Sequence, residues 1–161
     1  MDTLKAVTIL LVEDDPGDQK LVKKSLDRDK IANDLHIANS GEEALEYLQK
    51  SKSGSSNAPM PELILLDLNM PGMGGQEFLK HLKSDDQLDT IPVVILTTSD
   101  SDKDVLETFK LHAAGYVKKP GSLSEFKDVM QNISEYWFVI CKRVKHASEY
   151  TSRDKMCSVS R

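Results

Sequence analysis

Polar side chains follow four of the short apolar runs in this chain, at the point where each run ends. The acidic run 13–15 follows the first, Asp67 the third, Thr97 the fourth and Lys119 the fifth. If these runs are parallel strands, their carboxyl ends meet at one edge of a sheet, where ligands bind in open α/β folds. We therefore expect carboxylates, a hydroxyl and an ammonium group to share one small crevice.

Carboxylates that share a crevice repel one another, so a site that holds Asp14 and Asp67 calls for a divalent cation. Oxygen ligands favour a hard ion such as Mg²⁺, or Mn²⁺ in its place. Asp67 could then act as a carboxylate nucleophile and form an acyl phosphate. Such a transfer needs little beyond positioning and charge neutralisation, which the metal and Lys119 would supply.

Each of these residues also has an ordinary interpretation when it is taken alone. An acidic run after a strand is usually a solvated loop or the start of a helix, and a Lys-Lys-Pro sequence is usually surface charge. Thr97 could close a turn, and Asp67 could cap a helix. The chemical interpretation is favoured because four strand ends each supply a residue that the same reaction needs.

The apolar runs are β-branched or leucine-rich and lack the alternation of a half-exposed strand. Such runs are typical of a parallel sheet that is covered on both faces. Buried strands are predicted over residues 7–12, 63–66 and 91–96, and weaker ones around 35–37 and over 115–117. Helical spacing separates the runs, and capping boxes at Ser40 and Ser122 mark two helix starts. The resulting βαβαβαβαβα order predicts an α/β fold, a doubly wound five-stranded parallel sheet with helices on both faces.

The composition indicates a globular domain with no broad nucleic-acid-binding surface. The chain has 161 residues, of which 39% are hydrophobic, and its net charge is −5. The first residues lack a signal-peptide core, and no apolar stretch approaches the length of a membrane span. Cys141 and Cys157 lie far from any zinc-type spacing, so we expect free thiols. These features predict a cytoplasmic protein without a membrane partner.

Taken together, these motifs resemble the response-regulator receiver domains of two-component systems. The family carries an acidic pair after its first strand, here Glu13-Asp14, and an aspartate after its third, here Asp67 in Leu-Leu-Asp-Leu-Asn-Met-Pro-Gly-Met-Gly-Gly. It carries Ser or Thr after the fourth strand, here Thr97, and Lys-Pro after the fifth, here Lys119-Pro120. The resemblance covers residues 6–136, which we expect to form the receiver domain.

The resemblance implies a flavodoxin-like fold with strand order 2-1-3-4-5 and transfer of a phosphoryl group from a sensor-kinase phosphohistidine. It implies that Asp14, Asp67 and the backbone carbonyl of Asn69 ligate Mg²⁺ or Mn²⁺. Glu13 is implied to reach the ion through a water molecule.

The resemblance also assigns roles to the ends of the fourth and fifth strands. Thr97 and Lys119 are implied to hold the phosphoryl oxygens. On phosphorylation Thr97 is expected to move inward and to let Tyr116 change rotamer, which reshapes the face around the fourth helix and the fifth strand.

A narrower likeness concerns the segments 14–18, 61–67, 91–99 and 133–137. They resemble the small stand-alone regulators that partner cyanobacterial and other bacterial phytochrome histidine kinases, so a kinase of that type is the implied donor. Two residues depart from the family pattern: Gly74 stands where aspartate is usual, and Gly121 stands where a bulky apolar residue is commoner.

The last helix is predicted to continue over residues 137–146, beyond the length that a minimal receiver needs. Its apolar stripe outruns the sheet, so we predict a homodimer with Tyr136, Trp137 and Ile140 near the contact. The alternative is that the helix only caps its own domain. Residues 147–161 are polar and predict a flexible tail, which leaves no room for a DNA-binding output domain.

Two other classes of protein could place an aspartate after a strand of this fold. A phosphatase with an aspartate nucleophile typically needs a second aspartate two residues on, where this chain has Asn69. A flavin or nucleotide carrier would need a phosphate-binding glycine motif, and none is present. A signalling switch with at most self-phosphorylation and autodephosphorylation activity is therefore favoured over a turnover enzyme.

Overall fold

The computed structural model describes residues 7–28, 33–97, 113 and 115–118. Five strands form one sheet: β1 (Val7–Val12), β2 (Asn33–Ala38), β3 (Leu63–Leu66), β4 (Val93–Thr97) and β5 (Gly115–Lys118). Three helices are described: α1 (Pro16–Arg28), α2 (Gly41–Lys52) and α3 (Gly75–Lys83). All neighbouring strands are parallel, in the order β2-β1-β3-β4-β5. The predicted five-stranded flavodoxin-like order is confirmed.

The two faces of the sheet carry separate apolar clusters, which explains why the strand sequences do not alternate. On one face Ile9 and Leu11 of β1 pack with Val22 and Leu26 of α1. On the other face the side chains of β1, β3 and β4 pack with those of α2 and α3; this cluster includes Leu10, Val12, Leu48, Ile64, Leu66, Phe78, Leu79, Leu82 and Ile95. Helices therefore cover both faces, as predicted; β3 buries all four of its side chains, and β1 buries those of residues 9–12.

The start of α2 bears out half of the predicted capping box. The hydroxyl oxygen of Ser40 accepts a hydrogen bond from the Glu43 N–H at 3.0 Å. The Glu43 carboxylate accepts from the side-chain amide of Asn39, so it serves a neighbouring side chain. The second predicted box, at Ser122, lies outside the described residues, as do the fourth helix and the extended C-terminal helix.

The loop between α2 and β3 is anchored at several points, although it is long for an α/β fold. The Tyr47 hydroxyl donates to the Pro59 carbonyl at 2.7 Å, and the Glu62 N–H donates to the Thr8 carbonyl at 2.8 Å. Gly54 adopts φ +82°, a left-handed conformation that favours glycine. Among the described helices, none is long and apolar enough to cross a membrane.

Candidate functional site

Three acidic side chains converge at the carboxyl ends of β1 and β3. One carboxylate oxygen from each of Glu13, Asp14 and Asp67 lies within 4.8 Å of the others. Glu13 and Asp67 are buried, with 2% and 5% of their surfaces exposed, and Asp14 is half-buried. The sheet thus brings together the residues that the sequence placed at separate strand ends.

The backbone of each buried acid continues the hydrogen-bond ladder of the sheet. The Asp67 N–H donates to the Val12 carbonyl of β1, and the Glu13 N–H donates to the Ala38 carbonyl of β2, both at 3.0 Å. Each acid is therefore fixed one residue past its strand, where its side chain reaches the crevice and not the core. Parallel pairing alone sets this arrangement, because it aligns the strand ends.

Local backbone donors restrain two of the carboxylates. The Asp15 N–H lies 3.2 Å from Glu13 Oε2, and the Asn69 N–H lies 3.1 Å from Asp67 Oδ1. Each donor is two residues beyond its acceptor, the spacing at which a carboxylate binds the backbone of its own turn. A charge-assisted bond of this kind holds the acid at a defined angle.

The loop that follows Asp67 turns tightly back onto β3. A Cβ atom built on Gly75 would overlap the Asp67 carbonyl oxygen and lie 2.7 Å from the Leu68 Cα. Gly72 adopts φ +73°, and the Gly75 N–H closes the turn on the Leu68 carbonyl at 3.2 Å. Because only glycine fits at residue 75, α3 can begin directly behind Asp67.

Gly74, which departs from the family pattern, occupies the N-cap of α3. It makes no side-chain hydrogen bond there, as glycine must, and its backbone is extended at φ −72° and ψ 170°. An aspartate at this position could cap the helix through its carboxylate. The departure thus removes a cap and leaves the three acids in place.

The remaining predicted site residues are only partly described. The backbone of Thr97 ends β4 and pairs in register with Lys118 of β5, and Ile95 pairs with Tyr116. The ends of β4 and β5 therefore lie at the same edge of the sheet as Asp67. Lys119 and the predicted dimer residues, Tyr136, Trp137 and Ile140, lie outside the described residues.

Sequence reasoning missed two amides beside the acids. Gln19 Nε2 in α1 donates to the Glu13 carbonyl at 2.6 Å and to Asn39 Oδ1 at 2.7 Å. Gln19 and Asn39 are twenty residues apart in the chain. No motif or spacing singles them out, because the contact arises only when β1 and β2 pair.

The cluster suits a hard divalent ion. All three of its donors are carboxylates, and Mg²⁺ and Mn²⁺ favour oxygen ligands. A cation held among them would offset the repulsion of like charges at short range. The site can therefore hold a metal next to a buried aspartate, an arrangement that suits phosphoryl transfer to a carboxylate.

The chain belongs to the response regulator receiver domain family, whose model matches residues 9–131. It is 40% identical over 129 residues to the response regulator Rcp1 of Synechocystis sp., a match that covers 80% of this chain and 87% of Rcp1. Receiver domains of this family act as phosphoacceptor switches in phosphorelay signalling.

Two solved structures share this fold closely. The phosphorylated cyanobacterial phytochrome response regulator RcpA superposes with a TM-score of 0.77 at 36% identity, covering 83% of this chain and 95% of RcpA. The Mn²⁺-bound form of Rcp1 superposes with a TM-score of 0.74 at 39% identity, covering 81% of this chain and 94% of Rcp1. This likeness agrees with the resemblance drawn from the motifs.

Proposed function

We propose that this chain is the response regulator of a phytochrome-type two-component system, and that Asp67 accepts a phosphoryl group from a phosphohistidine of the sensor kinase. The observation that carries the proposal is the convergence of Glu13, Asp14 and Asp67 at the ends of β1 and β3. The similarity to RcpA, a phytochrome response regulator crystallised in phosphorylated form, supports this class of kinase.

The same acids are proposed to bind Mg²⁺ or Mn²⁺. Asp14 and Asp67 would hold the ion through their carboxylates, together with the backbone carbonyl of Asn69, and Glu13 would reach it through a water molecule. The Mn²⁺-bound form of the similar protein Rcp1 supports this assignment. When bound, the ion would neutralise charge on the acids and on the incoming phosphoryl oxygens.

Asp67 itself would carry the transfer. One carboxylate oxygen attacks phosphorus, an O–P bond forms while the N–P bond to the donor histidine breaks, and the imidazole leaves with the electron pair and takes up a proton. The Asn69 N–H restrains rotation of the carboxylate before the attack. With 5% of its surface exposed, Asp67 is also shielded from bulk water, which favours transfer over side reactions.

Thr97 and Lys119 are proposed to bind the phosphoryl oxygens. The pairing of the Thr97 backbone with Lys118, the residue before Lys119, supports their placement at one edge of the site. Thr97 would then move inward and Tyr116 would change rotamer. The face around the fourth helix and β5 would thereby report the phosphorylation state.

The chain is proposed to consist of three parts and to pass on its signal by contact with other proteins. Residues 6–136 would form the receiver domain, 137–146 a helical extension and 147–161 a flexible tail. The apolar stripe of the extension supports a homodimer through Tyr136, Trp137 and Ile140.

The protein is proposed to be cytoplasmic, and its proposed partners are a sensor histidine kinase and a second copy of the chain, and not nucleic acid or membrane. The net charge of −5 supports this choice. We further propose that the protein is no turnover enzyme, because Asn69 cannot supply the proton that a phosphatase of this type needs.

Labelling with a small phosphoryl donor tests the proposed function. The protein is incubated with Mg²⁺ and acetyl phosphate, or with a labelled phytochrome-type kinase, beside Asp67→Asn and the exposed control Asp86→Asn. We expect one hydroxylamine-labile phosphoryl group per chain in the wild type and in Asp86→Asn, and none in Asp67→Asn. A label that survives Asp67→Asn, or repeated turnover of a phosphate ester, would contradict the proposal.

A further inference from the structure

The acidic loop after β1 is joined to the start of α2 by a chain of side-chain hydrogen bonds. Gln19 Nε2 uses both of its hydrogens, one on the Glu13 carbonyl and one on Asn39 Oδ1. Asn39 Nδ2 then lies 3.3 and 3.4 Å from the two carboxylate oxygens of Glu43. Glu43 is in turn fixed in the first turn of α2 by its backbone bond to Ser40.

The orientation of the amides in this series of hydrogen bonds is fixed, because the groups at both of its ends, the Glu13 carbonyl and the Glu43 carboxylate, are acceptors. A carboxylate and a carbonyl only accept, whereas a side-chain amide both donates and accepts. Glu43 therefore turns the Asn39 nitrogen toward itself and the Asn39 oxygen toward Gln19. That oxygen and the Glu13 carbonyl together call for a donor with two hydrogens, which is the amide of Gln19. A carboxylate or an apolar side chain at position 19 or 39 would break the series.

The hydrogen bond from Gln19 to the Glu13 carbonyl acts on a peptide plane inside the acid cluster. The Glu13 carbonyl and the Asp14 N–H belong to one planar peptide unit, so a bond to the carbonyl restrains the backbone of both residues. Their carboxylates lie within 4.8 Å of each other and of Asp67. Like charges at this range repel and tend to spread a loop that nothing restrains.

We propose that Gln19 and Asn39 are positioning residues for the metal site. They hold the 13–14 peptide in the geometry that a divalent cation needs before the cation arrives, and so tie metal affinity to the packing of α1 against the β2–α2 junction. Residues that hydrogen-bond to a metal-binding residue without touching the ion typically change metal affinity by tenfold or more when they are removed. The proposal rests on the proposed function in one respect, namely that the cluster binds Mg²⁺ or Mn²⁺.

The test compares Gln19→Met, Asn39→Ala and the double variant with the wild type. Gln49→Met is the matched control, since Gln49 is an exposed residue of the same chain on α2. Mg²⁺ affinity is measured by isothermal titration calorimetry, and the rate of labelling by acetyl phosphate is followed against Mg²⁺ concentration. Urea unfolding in EDTA checks that each variant folds.

We expect Gln19→Met to weaken Mg²⁺ binding on the order of tenfold. The labelling rate at saturating Mg²⁺ should stay at the wild-type level, while the half-saturating concentration rises. Because Asn39 acts through Gln19, the double variant should bind no more weakly than Gln19→Met. Gln49→Met should match the wild type.

Unchanged Mg²⁺ affinity in folded Gln19→Met, or losses that add in the double variant, would overturn the positioning role. If Gln19→Met does not unfold cooperatively, Asn39→Ala decides the matter. It leaves the bond from Gln19 to Glu13 in place, so it should weaken Mg²⁺ binding by less than tenfold, and an unchanged Mg²⁺ affinity would overturn the proposal. A wild-type protein that binds no Mg²⁺ would refute the proposed function, whatever the variants do.

Discussion

At the carboxyl edge of the sheet three acidic side chains lie together, whereas at the amino edge an acidic side chain lies against a lysine. The amino edge is formed by the loops 53–62 and 84–92, which lead into β3 and β4. There Lys52 Nζ and Asp85 Oδ2 form an ion pair at 2.6 Å, and Lys83 Nζ donates to the Asp89 carbonyl at 3.0 Å. Burial lowers the pKa of Lys83.

The difference between the two edges separates binding from stability. Opposite charges that already lie together, as Lys52 and Asp85 do, satisfy each other and need no ion from solution. Like charges held together, as in Glu13, Asp14 and Asp67, repel one another, and an ion that binds among them offsets that repulsion. We therefore expect the carboxyl edge to gain stability when an ion binds, whereas at the amino edge Lys52 already supplies the counter-charge to Asp85.

The largest difference that we expect between the two edges in a stability measurement comes from backbone crowding. At the carboxyl edge, Gly75→Ala places a methyl group against the Asp67 carbonyl and 2.7 Å from the Leu68 Cα. Backbone atoms cannot move aside cheaply, so we expect a loss of about 3 kcal/mol in the free energy of unfolding. Urea unfolding followed by circular dichroism measures it.

Two other glycines serve as controls for this substitution. Gly74→Ala would bring a Cβ atom no closer than 3.6 Å to the Leu68 carbonyl, so it should cost only the lower preference for alanine at an N-cap, about 1 kcal/mol or less. Gly54→Ala, at the amino edge, would bring its Cβ atom within 4 Å of no other atom. It should lower the free energy of unfolding only by the strain of alanine at a φ of +82°, about 1 kcal/mol. Equal losses in all three variants would refute the crowding argument.

A smaller effect, of opposite sign, is expected when one of the clustered charges is removed. Asp14→Asn takes one negative charge from the cluster, so the metal-free protein should become more stable, by on the order of 1 kcal/mol. The same variant should gain less stability from added Mg²⁺ than the wild type does. Unfolding in EDTA and in Mg²⁺ measures both changes.

The control for Asp14→Asn is Asp86→Asn, which changes an exposed acid of the amino edge. It should alter stability little in either buffer. If Asp14→Asn destabilises the protein in EDTA, the carboxylate is held by attraction in the folded chain, and the contrast between the edges fails.

The fold could be predicted where burial leaves a clear pattern. The runs 7–12 and 63–66 match β1 and β3 residue for residue, because both faces of these strands are covered and Thr8 is the only polar residue in them. The prediction over 91–96 began too early and ended too soon, since β4 spans Val93–Thr97. The Ile91 N–H bonds to the Leu88 carbonyl in a turn, and Pro92 has no N–H to pair, so the strand starts only after them.

The acidic residues of the site could be predicted from the sequence, whereas the two amides that hydrogen-bond beside them could not. Glu13, Asp14 and Asp67 each follow a strand, and the rule that parallel strand ends meet at one edge is enough to bring them together. Gln19 and Asn39 carry no such mark, because glutamine in a first helical turn and asparagine after a strand are common for unrelated reasons. Their contact depends on distances between side chains that no sequence pattern contains.

The smallest of the three effects concerns acid pH and the ion pair of the amino edge. The hydrogen bond from Lys52, followed by that from the Gln87 N–H, lowers the pKa of Asp85 below its ordinary value of 3.8. A folded-state pKa below the unfolded one means that the pair stabilises the protein above pH 3.8 and that this stabilisation is lost as the pH falls through the folded-state value. Lys52→Met brings the two pKa values closer, so it should lower stability slightly at neutral pH and lose less on acidification. Urea midpoints of both proteins between pH 7 and pH 2 should therefore converge toward low pH, and labelling of Asp67 by acetyl phosphate should be unchanged. Parallel midpoints would mean that Lys52 stabilises the amino edge through its aliphatic stem alone, and the contrast between paired and clustered charge would lose its electrostatic basis there.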